Sequence, residues 1–329
     1  MKTHDEFAIF AKGVMRESCV PLENKRKLIS GRIFFLFGIL ILFGFLSIVS
    51  ILAGSTIFFL GFMLIGFVAC LCQYLFRIKP FFDEYKLAYK KLVIGEIVKF
   101  VEPSLSYQPA SGIAQSKYMM SGIFTTIPDR YSSEDYISGK IDKTEIEFSE
   151  VHSQYKTEHT DSKGHKRTQW HTIFRGMFVI SDFNKEFQGR TVILPDFAEK
   201  FLGFIGQTLQ SWNMSRDQLI KLEDPDFEKL FVVYGTDQVE ARYILSPALM
   251  RKIIDFHEKA KKLCRGDISL SFVGSKLFLA ISCNRDLFEP RIFSPVCDNK
   301  TLAEYFSFIN VSAGIVEELS LNTRIWSKK

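Results

Sequence analysis

Four histidines, His152, His159, His165 and His171, fall within a window of twenty positions, close to Glu147 and Glu150. Imidazole nitrogens and carboxylates are the ordinary ligands of zinc. The stretch that carries most of them, "TEHTDSKGHKRTQWH" (157–171), is polar and contains Gly164. It lies between two segments rich in β-branched and aromatic residues, so it reads as the tip of a long hairpin. No H-x-x-x-H pair places two imidazoles on one helix face, and closed zinc sites space their ligands more tightly. A solvated tip is the preferred reading. His152, His165 and His171 are the candidate metal ligands if that reading fails.

A second cluster, Asp237, Glu240 and Arg242, stands in "VYGTDQVEARYILSP" (233–247) beside apolar strand and helix patterns. Two carboxylates and a guanidinium this close form either a recognition site or charges that anchor a helix start. Charges near element ends are common, which favours the structural role. Cys264 follows Lys261 and Lys262, which would favour a thiolate if the sulfur were exposed. "GFIGQT" (203–208) has the glycines of a phosphate loop but no lysine, and it falls inside a helical pattern. There is no G-x-S-x-G and no H-E-x-x-H. No spacing calls for a cofactor.

These residues depend on the elements that hold them. "KTEIEFSEV" (143–151) alternates Thr144, Ile146 and Phe148 with Glu145, Glu147 and Ser149, which is a half-buried strand. "TIFRGMFVISDF" (172–183) and "GRTVILP" (189–195) are two more strands. Residues 196–213 carry a helical pattern with Asp196 as N-cap. Residues 217–235 give strand, helical turn and strand. Ser246-Pro247 opens a helix over 246–263, "DISLSFVGSKLFLAISC" (267–283) is a hairpin around Gly274, and 299–321 is a last helix. Hairpins and helices without regular βαβ alternation predict an α+β domain.

Where that domain sits follows from charge. Between Arg32 and Arg77 lie 44 residues without Lys, Arg, Asp, Glu or His. One crossing of the hydrocarbon needs about 20 residues, so the run must break. Gly54, Ser55 and Thr56 are weak helix formers at its centre, which predicts spans at about 33–52 and 56–76. Lys25, Arg26, Lys27 and Arg32 flank one side and Arg77, Lys79, Lys86, Lys90 and Lys91 the other, with no charge in the turn. The positive-inside rule then puts both termini in the cytoplasm. Gly38, Gly44, Ser47, Ser50, Gly61 and Gly66 are small enough to line a helix contact. Before the spans, Phe7, Phe10, Ala11, Val14 and Met15 mark a short amphipathic helix behind a Thr3–Glu6 capping box. After them, 80–103 keeps helical spacing until Pro103.

The chain has 329 residues and a net charge of +5, of which residues 1–32 hold +3. The remainder is nearly balanced, which argues against a nucleic-acid surface. Six cysteines without a C-x-x-C pair suit reduced thiols rather than a disulfide framework.

The blocks "DRYSSEDYISGKI", "TIFRGMFVISDFNKEFQGRTVILPD", "LEDPDFEKLFVVYGTDQVEARYILSP" and "LNTRIW" together resemble a bacterial membrane-protein family known only as a domain of unknown function. The resemblance covers about 77–329 and the two preceding spans. It implies a two-helix hairpin before a cytoplasmic α+β domain, and association with LemA-type membrane proteins. It brings no activity and no catalytic residues. The expected organisation is 1–32 as a cytoplasmic amphipathic segment, 33–76 as a transmembrane hairpin and 77–329 as the cytoplasmic domain. The expected function is a non-enzymatic scaffold or binding module at the bacterial inner membrane, contacting lipid and a membrane protein. The alternative is an enzyme acting on a lipid headgroup or membrane-bound substrate through Asp237, Glu240 and Arg242. A channel is disfavoured, because the spans carry no charge to mark an ion path.

Overall fold

The computed structural model describes residues 2–160, 166–183, 186–196 and 218–319. The chain divides into two compact units. One joins His4–Glu96 to Glu289–Leu302, and the other joins Ile97–Phe288 to the two ends of the chain.

The first unit is built on two long apolar helices. After α1 (His4–Lys12), α2 runs unbroken from Val14 to Leu52. The short helix expected before the first span is thus split: its start is α1 and its end is the first part of α2. Met15, Cys19, Leu22 and Ile29 are buried along one side of α2, three to seven residues apart, the spacing of a single helix face. Ala53 and Gly54 turn the chain, with Gly54 at φ +76, a conformation glycine adopts without strain. The helix α3 (Thr56–Cys72) then returns, and a π-helical stretch (Gln73–Ile78) leads into α4 (Lys79–Tyr89). A second π-helical stretch (Lys90–Ile94) and α5 (Gly95–Val101) complete the helical run, which stops two residues before Pro103.

The two ends of the hairpin are pinned at one level. Arg32 donates to the Arg77 carbonyl at 2.6 Å and stacks on Phe81 at 3.7 Å. From Arg32 to Leu52 the rise is about 30 Å, one hydrocarbon thickness. Of the small residues, Ser47, Ser50 and Gly66 are buried. A Cβ on Gly66 would stand 2.7 Å from the Cβ of Phe43, so the glycine sets the helix contact. Gly38, Gly44 and Gly61 face open space.

The second unit contains a nine-stranded antiparallel sheet among the described residues, which with its helices makes the α+β class expected. The strands are β1 (Ser106–Gln108), β2 (Arg130–Ile141), β3 (Thr144–Thr160), β4 (Lys166–Asp182), β5 (Arg190–Pro195), β6 (Gln218–Ile220), β7 (Phe231–Gly235), β8 (Ile268–Val273) and β9 (Lys276–Ser282). Their order is β1-β2-β3-β4-β9-β8-β5-β7-β6. Between them lie α6 (Gln115–Met120), α7 (Pro225–Glu228), α8 (Gln238–Ile244) and α9 (Pro247–Cys264), with α10 (Asn299–Glu318) after the last strand.

Ser246 caps α9, and Leu249, Ile253, Phe256 and Ala260 bury its inner face. Tyr118 of α6 lies on Phe178, Phe174 and Phe124, over the sheet face that also carries Ile180, Val192 and Phe278. Burying rings of this size is the main stabilising term of the unit.

Three expectations change. The polar stretch between β3 and β4 is mostly strand: the ladder continues to Thr160↔Lys166, because backbone pairing proceeds whether or not side chains are apolar. Strands β1 and β2 and helix α6 have no counterpart in the sequence reading, and the helix expected over 196–213 lies almost wholly outside the described residues. The cysteines are also corrected. Cys19 is bonded to Cys297 and Cys264 to Cys283, with Cα atoms 6.1 and 5.0 Å apart. These partners are 278 and 19 residues apart in sequence, so only the fold brings them together. Cys264 is therefore no thiolate candidate, and Cys70 and Cys72 are the free thiols.

Candidate functional site

The sheet face under Tyr118 continues past the edge of α6 into a polar cleft of about 530 Å³. Strand geometry explains its lining. Ser138 pairs with Glu147 and Lys140 with Glu145 across β2 and β3, while Glu147 pairs with Ile180 across β3 and β4. Every second residue of a strand shares a face, so hydroxyl, ammonium and carboxylate groups line up side by side. Lys276, at the start of β9, extends the row, and Lys117 reaches in from α6.

Glu147 is the hub of the cleft. Its carboxylate accepts from Lys117 Nζ at 2.6 and 2.8 Å and from the Tyr136 hydroxyl at 2.7 Å. Burial, and then the neighbouring carboxylate, push the Tyr136 hydroxyl above its ordinary value, so it stays a donor. Among the described residues the ammonium groups of Lys140 and Lys276 have no charged partner. Three lysines against Glu145 and Glu147 leave the lining at +1. Such a cleft offers charge-assisted hydrogen bonds to an anionic or polar group. Its lining contains no histidine or cysteine to activate a nucleophile.

A second group of unusual chemistry is Glu150, 5 % exposed, which accepts from the Leu287 N–H at 3.0 Å. Burial pushes its carboxyl up to about 8, against the lowering by that N–H, with Asp135, Asp286 and Glu134 adding repulsion. Asp135 is fully buried at φ 61, beside a β2 irregularity, and takes a hydrogen bond from Tyr107.

The residues singled out from sequence fall elsewhere. Asp237 caps α8, accepting from Val239 N at 2.7 Å and Glu240 N at 3.1 Å. Glu240 accepts from the N–H groups of Gln188 and Gly189 at 2.9 and 2.8 Å. A Cβ on Gly189 would come within 2.3 Å of Thr236 and 2.7 Å of Glu240, so only glycine permits that grip. Arg242 donates to the Lys221 carbonyl at 3.3 Å. Each of the three side chains bonds to backbone rather than to another's side chain.

The histidines separate along the ribbon. His152 lies opposite Arg175, and burial followed by that guanidinium pushes its imidazole below the ordinary value. His171 bonds Thr157 Oγ1 at 2.9 Å and stacks on Tyr155. Neither joins a group of three metal-ligating atoms within 4.8 Å among the described residues. His159 pairs with Arg167 along the backbone, and His165 lies outside the described residues. The cleft lysines and Tyr136 were not singled out from sequence. The signal was present in the alternation of "SGK" and "TEIE" on either side of a two-residue turn.

Residues 172–321 match a family model described as "Protein of unknown function (DUF3137)". The match includes the second and third blocks of the family resemblance and leaves "DRYSSEDYISGKI" outside. No curated protein matches. Among solved structures, the crystal structure of the mycobacterial trehalose monomycolate transport factor A, TtfA, is similar at a TM-score of 0.31 and 10 % identity. The likeness spans 66 % of this chain and 95 % of that one, and at this score it carries no functional argument.

Proposed function

We propose that this protein is a membrane-anchored binding module. A helical hairpin over 33–76 holds an α+β domain, 77–329, at the cytoplasmic face of a bacterial inner membrane, and residues 1–32 lie on the same side. The observation that carries the reading is the open apolar surface of α2 and α3. Phe34, Phe45, Phe58 and Phe67 are each more than 60 % exposed, and most of both helices is uncovered. A water-soluble protein does not leave a surface of this size bare, whereas lipid covers it without cost.

The basic flanks favour the cytoplasm, and the two cystines favour an oxidising compartment. We give the flanks more weight, because orientation is set as the spans insert, before distant cysteines meet.

The polar cleft around Glu147 is where we place the partner's contact, with Lys140 and Lys276 offering charge to an acidic group. A LemA-type membrane protein is the first partner to seek, on the strength of the family resemblance. The test is co-purification of the full-length chain from native membranes, compared with a Lys140→Glu/Lys276→Glu variant. One membrane protein should be recovered with the wild type and lost with the variant, at equal expression. Identical partners from both would remove the cleft from the proposal.

A further inference from the structure

The loop that follows β9 returns to the helical unit and lies along the first part of α2. Five contacts fix it, all within that unit, three to α2 and two to the helical run that follows α3. Cys297 bonds to Cys19. The Val296 N–H donates to Glu23 at 3.1 Å, and Arg26 donates to the Ile292 carbonyl at 2.6 Å. Glu289 pairs with Lys86 at 2.7 Å and with Lys90 at 3.0 Å. Pro290 and Pro295 restrict the backbone on either side of the segment between them. The loop is thus held in place by bonds at several points along its length.

Within it Phe293 is 67 % exposed, and its ring meets that of Phe34 edge-on at 6.2 Å. An exposed phenylalanine by itself is ordinary. The level of this one is informative. Phe34 is the second residue of the uncharged run, about 3 Å along the helix axis beyond Arg32. Arg32 is pinned to Arg77, the first charge after the run, so both span ends share one plane. Phe293 therefore sits where the hydrocarbon begins, with Arg26 and Arg32 on its polar side. Cations at headgroup height and an aromatic ring just below them are the pattern of a segment lying in the membrane interface.

We propose that the 289–298 loop is a third membrane-contacting element, which inserts Phe293 into the headgroup–acyl boundary beside the first span. The proposal rests on the hairpin crossing the membrane. It adds a lipid contact contributed by a segment more than 200 residues away in sequence, joined to α2 by polar bonds and a cystine.

The test uses the full chain with Trp170, Trp212 and Trp326 replaced by phenylalanine. A single tryptophan is then introduced by Phe293→Trp, by Phe45→Trp for mid-span, or by Val239→Trp for an exposed position of the soluble unit. Each protein is reconstituted in phosphatidylcholine–phosphatidylglycerol vesicles, with or without lipids brominated near the top of the acyl chain. The probe at position 293 should be quenched by those lipids, and by acrylamide less than the probe at 239. Acrylamide quenching equal to that at 239, without bromolipid quenching, overturns the proposal if the probe at 45 still reports deep burial in lipid. If position 45 also escapes brominated lipid, deep-labelled lipids included, the hairpin reading itself fails, and this proposal with it.

Discussion

Replacing Glu150 by glutamine should remove a pH dependence that the wild type carries. Burial pushes the carboxyl up to about 8 in the folded chain, from the ordinary 4.5 that the unfolded chain restores. The folded state thus holds the proton more tightly. The associated stability is fully present below about pH 4.5 and is lost as pH rises through 8. Each pH unit of that window corresponds to about 1.4 kcal/mol. Between pH 5 and 7.5 the wild type should therefore lose about 3 kcal/mol relative to Glu150→Gln. Glu150 is buried, so solvent screening does not reduce this figure much. The amide oxygen of glutamine still accepts the Leu287 N–H, so the packing is conserved. The assay is thermal unfolding of both full-length proteins in detergent, followed by circular dichroism at half-unit pH steps. The variant should become the more stable protein above neutrality. Parallel curves for the two proteins, or a wild type that gains on the variant as pH rises, would refute the reasoning.

Two further predictions concern topology and the α8 cluster. In a chain whose own cysteines are serine, a membrane-impermeant thiol reagent applied to intact cells should label Ser55→Cys and spare Lys300→Cys. Labelling at 300 would place the 289–302 segment of the helical unit outside and refute the topology. Asp237→Ala should cost about 1 kcal/mol as a lost cap while Asp237→Asn costs little. If Arg242→Lys abolished partner binding without changing stability, Asp237, Glu240 and Arg242 would be a recognition site, since lysine cannot reproduce the planar fork.

What the sequence determined by itself are properties set by neighbours along the chain. The 44-residue uncharged run, broken at Gly54, specifies two helices and their turn, because helix length and charge are local quantities. Alternation over 144–151, the Gly274 turn and the Ser246–Pro247 start likewise appear as β3, a hairpin and α9. Tertiary structure alone decided the rest. Glu150 accepts from the Leu287 N–H, 137 residues away, and the Cys19–Cys297 bond joins residues 278 apart in sequence. The cleft needs β2, β3, β9 and α6 in register, and Phe293 reaches the level of Phe34 only because its loop is strapped to α2. Each depends on which distant segments meet. Local spacing constrains that weakly, since any two segments with matching apolar faces satisfy it.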